Sequence, residues 1–351
     1  DADPKQTTTQ RLRAESLKPE LGQPPFGKHA QSDKAQQWNV KLQQETDHAL
    51  SVPLLGFVGL GMLAKWRLPK LWLKRFGPQT LGRFLFWIGI PISLVGFLRG
   101  ADLSGAVWAA PACAWLAILL AWGSARLWLR CRGRELALPQ QGSFQLAAML
   151  GNTGYIGYPI CLAIGGTTYF AWALFYDILG TAFGTFGLGV WVASRYGRHA
   201  HLSGWKVVQQ VVKTPALWGF AIGMTVRELP LFPGLDLALR GFAWSMVPLS
   251  LILMGMRLAQ LRSWQGIRQS WAAIAIKTAL IPLSVGAIAH VMPLPAQGSL
   301  LIALQAGMPS AFSSLVLAEE FHLDREMTVA AIAGSSLLVL LTLPAWLVLW
   351  Q

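Results

Sequence analysis

From about residue 49 to the end of the chain, apolar runs of roughly twenty residues follow one another, separated by short segments that carry most of the charge. A helix needs about 20 such residues to cross roughly 30 Å of hydrocarbon. Ten runs meet that length, at about 49–65, 80–98, 105–128, 143–165, 169–194, 211–228, 236–257, 267–290, 297–319 and 326–350. Only 13% of the residues are charged and 54% are hydrophobic. Soluble domains carry roughly 25% charge, so the pattern predicts an all-α polytopic membrane protein. The net charge of +13 sits in clusters between the runs, not along one face, which argues against nucleic acid as a partner. No GxSxG, HExxH or P-loop pattern is present, and no enzyme activity is expected. Cys113, Cys131 and Cys161 lack metal-ligand spacing, so neither a metal nor another cofactor is expected.

Residues 1–48 have a different character, being polar, with seven basic and seven acidic residues and little periodicity. Such a segment buries too little apolar surface to offset its ordering entropy, and the reading is a disordered tail with no signal-peptide character. The remaining divisions expected are a first five-helix half at 49–194, a basic linker at 195–210 and a second half at 211–351.

Lys and Arg set the orientation. Lys65, Arg67, Lys70, Lys74, Arg75 and Arg83 follow or flank the first run, and Arg126, Arg130, Arg132 and Arg134 close the third. Arg195, Arg198, Lys206 and Lys213 fill the centre, with Arg257, Arg262 and Arg268 after the seventh run; the alternate loops hold only Arg99, Arg227 and Arg240. By the positive-inside rule the crowded loops are cytoplasmic, which places both termini outside and the central loop inside. Tryptophans near run ends, such as Trp66, Trp72, Trp128, Trp205 and Trp264, read as interfacial anchors.

Two runs are interrupted in their middles. Gly151-Asn152-Thr153-Gly154-Tyr155-Ile156-Gly157-Tyr158-Pro159 breaks the fourth, and Gly307-Met308-Pro309-Ser310 breaks the ninth. Unpaired backbone groups in hydrocarbon cost several kcal/mol each, so a break survives only where protein or a wet cavity covers it. Interrupted helices in corresponding halves point to a secondary transporter's binding site. The halves do correspond. Pro53 to Met62 returns as Pro215 to Met224, Ile90-Pro91-Ile92-Ser93-Leu94 as Val247-Pro248-Leu249-Ser250-Leu251, and Gly157-Tyr158-Pro159 as Gly307-Met308-Pro309, at offsets of 162, 157 and 150. Five runs per half is an odd number, so the repeat is expected to be inverted.

Proline suits a first helical turn, and Pro159 and Pro309 are expected each to begin a half-helix whose N-terminus carries partial positive charge into the membrane. An anion is the natural guest. The candidate contacts are Asn152, Thr153, Gly154, Gly157 and Pro159 on one arm, and Met308, Pro309, Ser310 and Ser313 on the other. The structural alternative is that these groups only pack helices and satisfy freed backbone. Asp177 and Lys277 lie inside runs and each is costly unless paired or hydrated. Asp177 is a candidate proton or cation acceptor and Lys277 a candidate to balance the crossing's carbonyls; the alternative is a structural ion pair. Glu319, Glu320, Asp324 and Glu326 read as a solvated acidic loop.

The motif from Gly151 to Pro159, with Met308-Pro309-Ser310-Ala311, Leu317-Ala318-Glu319, and Ser335-Ser336 ahead of Thr342-Leu343-Pro344, resembles the auxin efflux carrier family. That resemblance, which covers about 50–350, implies ten helices in a five-plus-five inverted fold. Runs 1, 2, 6 and 7 would form a scaffold, and runs 3–5 and 8–10 a mobile transport domain in which the broken helices cross. It also implies a carrier of small organic anions, auxin-like or dicarboxylate, although many members carry Asn where this chain has Ser313. The expected function is alternating-access transport; the alternative is a transporter-shaped sensor or regulatory subunit that binds the anion without moving it. Membrane lipid is an expected partner, a proton or sodium ion is the candidate for coupling, and a homodimer is the candidate assembly. The expected location is the plasma (inner) membrane, multi-pass.

Overall fold

The computed structural model describes residues 56–64, 77–99, 101–103, 105–132, 135–197, 214–259 and 265–350, with positions 209 and 212. All of them fall in one compact unit, Pro53–Gln351. The expected tail, most of the central linker, and Trp66, Trp72, Trp205 and Trp264 lie outside the described residues.

The described chain is helical. We number the helices α1 (56–64), α2 (Pro78–Leu98), α3 (Ala109–Arg132), α4 (Leu138–Met149), α5 (153–165), α6 (167–196), α7 (Pro215–Val226), α8 (Pro233–Leu258), α9 (Gly266–Val291), α10 (Ala296–Ala306), α11 (Phe312–Glu320) and α12 (Arg325–Trp350). α5 and α6 form a stretch of 44 residues divided at Gly166, whose φ of 61° and ψ of −171° no helix accommodates. Among the described residues six stretches are long and apolar enough to cross a membrane: α2, α3, α5 with α6, and the greater parts of α8, α9 and α12. Helix is the form that hydrocarbon permits, because it pairs the backbone within the segment.

Proline leaves a local signature. π-helical turns at Leu85–Gly89, Thr153–Gly157 and Ile276–Leu280 each end two residues before a proline, at Pro91, Pro159 and Pro282. A proline ring crowds the carbonyl four residues back and offers it no N–H, so the preceding turn widens.

α2 packs on α7 and α8, while α3 packs on α4 and α6, and α9 on α10 and α12. Bare backbone lets two of the contacts close up. A Cβ on Gly61 of α1 would lie 2.1 Å from the Ile252 carbonyl oxygen of α8, and one on Gly223 of α7 would lie 3.2 Å from Val95 Cα of α2. Arg99 ties one end of this group: its guanidinium bonds Asp236 of α8 (2.6 Å) and the carbonyls of Val226 (2.6 Å) and Leu229 (3.1 Å) at the end of α7. Trp128, expected at an interface, is half-buried and stacks on Phe144 with ring centroids 4.7 Å apart.

Candidate functional site

The two interrupted segments break and meet. α4 ends at Met149, and Gly151 pairs in antiparallel fashion with Ser310, between α10 and α11. The Asn152 N–H donates to the Pro309 carbonyl (2.7 Å), and the Ala311 N–H donates to the Leu150 carbonyl (2.9 Å). Exchanging 151 with 310 turns one bond into the other, so the pair has local two-fold symmetry. Four backbone groups that two broken helices would leave bare thus satisfy each other.

This geometry corrects two expectations. Pro159 does not begin a half-helix: α5 starts at Thr153, and Pro159 lies beyond the π-turn that it widens. Pro309 does not begin one either, because α11 starts at Phe312 with Ala311 as its cap, and Pro309 serves as an acceptor in the crossing. The match of Gly157-Tyr158-Pro159 to Gly307-Met308-Pro309, at an offset of 150, is therefore not the pairing the crossing makes. The pairing of Gly151 with Ser310 gives an offset of 159, close to the 162 and 157 of the other matches.

Several expected ligand contacts are taken up by the crossing itself. Ser310 is fully buried; its hydroxyl donates to the Ala147 carbonyl (2.7 Å) and its N–H to Ser335 Oγ (3.0 Å). Thr153 Oγ1 donates to Asp177, as does the Tyr158 hydroxyl (2.6 Å). Met308 is buried. Asn152, 4% exposed, uses its backbone groups in the crossing, while its side-chain nitrogen has no protein partner among the described residues.

Asp177 and Lys277 make no ion pair; each serves a different end of the crossing. Asp177, on α6, lies at the start of α5, where a negative group complements the helix N-terminus. Lys277, 3% exposed on α9, donates to the Ala306 carbonyl at the end of α10 (2.8 Å), and its Nζ would lie 3.0 Å from a Cβ on Gly151. Its ammonium thus sits at a carbonyl-bearing helix end and beside the end of α4, where the macrodipole favours a cation.

Beside the crossing lies a cavity of about 900 Å³. Of the expected contacts it is lined by Ser313; Tyr155, Phe312 and Ser336 join it from α5, α11 and α12. Its charged lining is Arg83, Glu319, Glu320 and Arg325, with Arg325 bonded to Glu319 (2.7 Å). Glu319 and Glu320 were expected in a solvated loop; they end α11 and face this space. Gly154 and Pro159 instead line a separate void of about 30 Å³.

Residues 196–347 match the family model described as membrane transport protein. The chain is 28% identical over 274 residues to an uncharacterized transporter of Methanothermobacter thermautotrophicus, covering 76% of this chain and 87% of the relative. It is also 26% identical over 212 residues to an uncharacterized transporter of Methanocaldococcus jannaschii, covering 58% and 67%. The second half of the chain thus resembles the membrane transport protein family, that of the auxin efflux carriers, and most of its length is related to uncharacterized transporters. With six stretches among the described residues long and apolar enough to span a bilayer, it is an integral, multi-pass membrane protein.

In this chain, sequence reasoning passed over Gln305. Its amide, fully buried on α10, reaches across to the carbonyls of Thr153 (3.4 Å) and Ala173 (3.2 Å), tying α10 to α5 and α6. Gly157 makes room for it, since a Cβ there would lie 2.2 Å from Gln305 Oε1. The signal was present: an amide in an otherwise apolar run, two residues before the second break. Tyr155 and Tyr158 were visible inside the motif but had been given no role.

Proposed function

We propose that this protein is a secondary transporter that carries a small organic anion by alternating access. The observation that supports this most directly is the pair of interrupted helices joined at Gly151 and Ser310 beside a cavity large enough for a metabolite. The anion enters the cavity past Arg83 and binds where the first turn of α11, Ser313 and Ser336 face the space. The aromatic rings lining the cavity suit an apolar body on that anion.

The chain crosses the membrane ten times as two inverted halves. Support comes from the exchange of contacts between halves: Gly61 of α1 abuts Ile252 of α8, and Gly223 of α7 abuts Val95 of α2. Shifting Gly61 by 162 and Val95 by 157 turns one contact into the other, the same two offsets found in the sequence. α1, α2, α7 and α8 form the static scaffold, and the helices carrying the crossing move against it. Asp177, half-buried and with no cationic partner among the described residues, is the group we assign to hold a coupling proton.

Uptake into proteoliposomes of a panel of aromatic and dicarboxylic acids, with and without a pH gradient, tests this. Saturable uptake of at least one acid supports it; specific binding of an acid with no flux would replace it by the sensor reading.

A further inference from the structure

The void of about 30 Å³ lies on the scaffold side of α5, walled by Gly154 and Tyr158 on one side and by α2 and α8 on the other. It has room for one water. Two of its few polar lining residues are Ser93 and Ser250, which occupy matching positions in the repeated Pro-x-Ser segments of α2 and α8. Ser250 satisfies its hydroxyl on the Val247 carbonyl (2.7 Å). Ser93, 7% exposed, has a hydroxyl with no protein partner among the described residues. A buried hydroxyl left in that state is destabilising, which packing alone does not explain.

Tyr155 separates this void from the cavity of about 900 Å³, for it lines both. The π-turn at Thr153–Gly157 carries Tyr155 one turn past the crossing, where it packs against Leu85 of α2 and Met246 and Leu253 of α8. The ring is thus attached to the broken helix and seated on the opposing pair of helices, so displacement of one against the other unseats it.

We propose that Tyr155 is a gate, and that the void behind it is the continuation of the large cavity, with Ser93 placed to meet an oxygen-bearing solute or its water. The identity of that solute rests on the transport reading above; the gate itself does not. It makes two spaces that are now separate into one passage running past the crossing, between α5 and the α2–α8 pair.

The test is thiol accessibility in membrane vesicles. Ser93→Cys is placed in a Cys131→Ser background, because Cys131 is the exposed native thiol whereas Cys113 and Cys161 are buried. A small, membrane-impermeant methanethiosulfonate is applied from each side. With Tyr155 present, and with Tyr155→Phe, which keeps the ring, Cys at 93 should react no faster than the buried native thiols. Tyr155→Ala should raise its rate at least tenfold, from the side to which the large cavity opens. Should Tyr155→Ala not elute as a monodisperse particle, Met246→Ala, which removes the wall behind the ring, takes its place with the same expectation. Rapid labelling at 93 with Tyr155 intact, or continued protection after its removal, would overturn the proposal. Gated labelling in a protein that takes up no organic acid would leave the gate and remove the transport reading; uptake with ungated labelling would do the reverse.

Discussion

Replacing Asp177 by leucine isolates what one carboxylate does for the first break. Leucine is close in size and deletes both acceptor oxygens at once, stranding the buried hydroxyls of Thr153 and Tyr158. The two losses are unequal. Thr153 Oγ1 has a second acceptor, the Gly151 carbonyl at 3.4 Å, whereas the Tyr158 hydroxyl is bonded to Asp177 at 2.6 Å and has no other partner among the described residues. A hydrogen bond to a charged group contributes about 1.5–3 kcal/mol, and a negative group at a helix N-terminus about 0.3–1 kcal/mol more. With Thr153 partly compensated, Asp177→Leu should cost about 2–5 kcal/mol. At about 2 °C per kcal/mol, the low end of the range for large domains, this lowers the melting temperature of the purified carrier by roughly 4–10 °C. Asp177→Asn retains one acceptor and should lose less than half of that. The sharper measurement is a double-mutant cycle. Tyr158→Phe removes the stranded hydroxyl, so the Tyr158→Phe, Asp177→Leu pair should be no less stable than Asp177→Leu alone, with a coupling of about 1.5–3 kcal/mol. Additive costs, or an Asp177→Leu protein as stable as the parent, would refute this account of the break.

The other predictions concern the second break, the scaffold and the cavity. Lys277→Met leaves the Ala306 carbonyl without its donor and should destabilise by about 1–3 kcal/mol, and Lys277→Gln, which can still donate, should recover part of the loss in the same melting assay. Gln305→Leu removes the Gln305 donor from the Thr153 and Ala173 carbonyls, the second of which keeps the Tyr176 N–H, and should cost about 0.5–1.5 kcal/mol, with faster hydrogen exchange at residues 153–157 as its local signature. Gly219→Ala puts a Cβ 2.6 Å from the backbone of Pro91 and should cost about 1–3 kcal/mol through forced separation of α2 and α7, whereas Gly123→Ala, with nothing within 4 Å, should be neutral or stabilising. Arg83→Ala should slow uptake of an anion at low ionic strength and leave it nearly unchanged at high salt, where charges near the surface are screened.

The Gly151-to-Pro159 motif shows how far sequence reasoning reached. That the helix must break there followed from the cost of placing glycine, asparagine and proline in hydrocarbon. The place of the break did not follow, because proline was read as a helix start. Inside a continuing helix it widens the preceding turn instead, so the register slipped by several residues. The error carried into the site. Ser310 and Thr153 are the right residue types to hold an anion, but their hydroxyls are spent on Ala147 and Asp177, contacts made only once distant segments are packed. Ser313, one turn on, keeps its place at the cavity.

Hydropathy alone determined that this chain lives in a bilayer as helices, because continuous apolar runs of about twenty residues fit a spanning helix that pairs its own backbone, and the spacing of glycine and proline marked where those helices are interrupted. Tertiary packing decided which polar groups are used up and which remain available. Lys277 and Asp177 could have paired with each other, and only the positions of α5, α6, α9 and α10 send them to separate helix ends. Tyr155 owes its place between two spaces to α2 and α8, which a linear pattern cannot bring beside it.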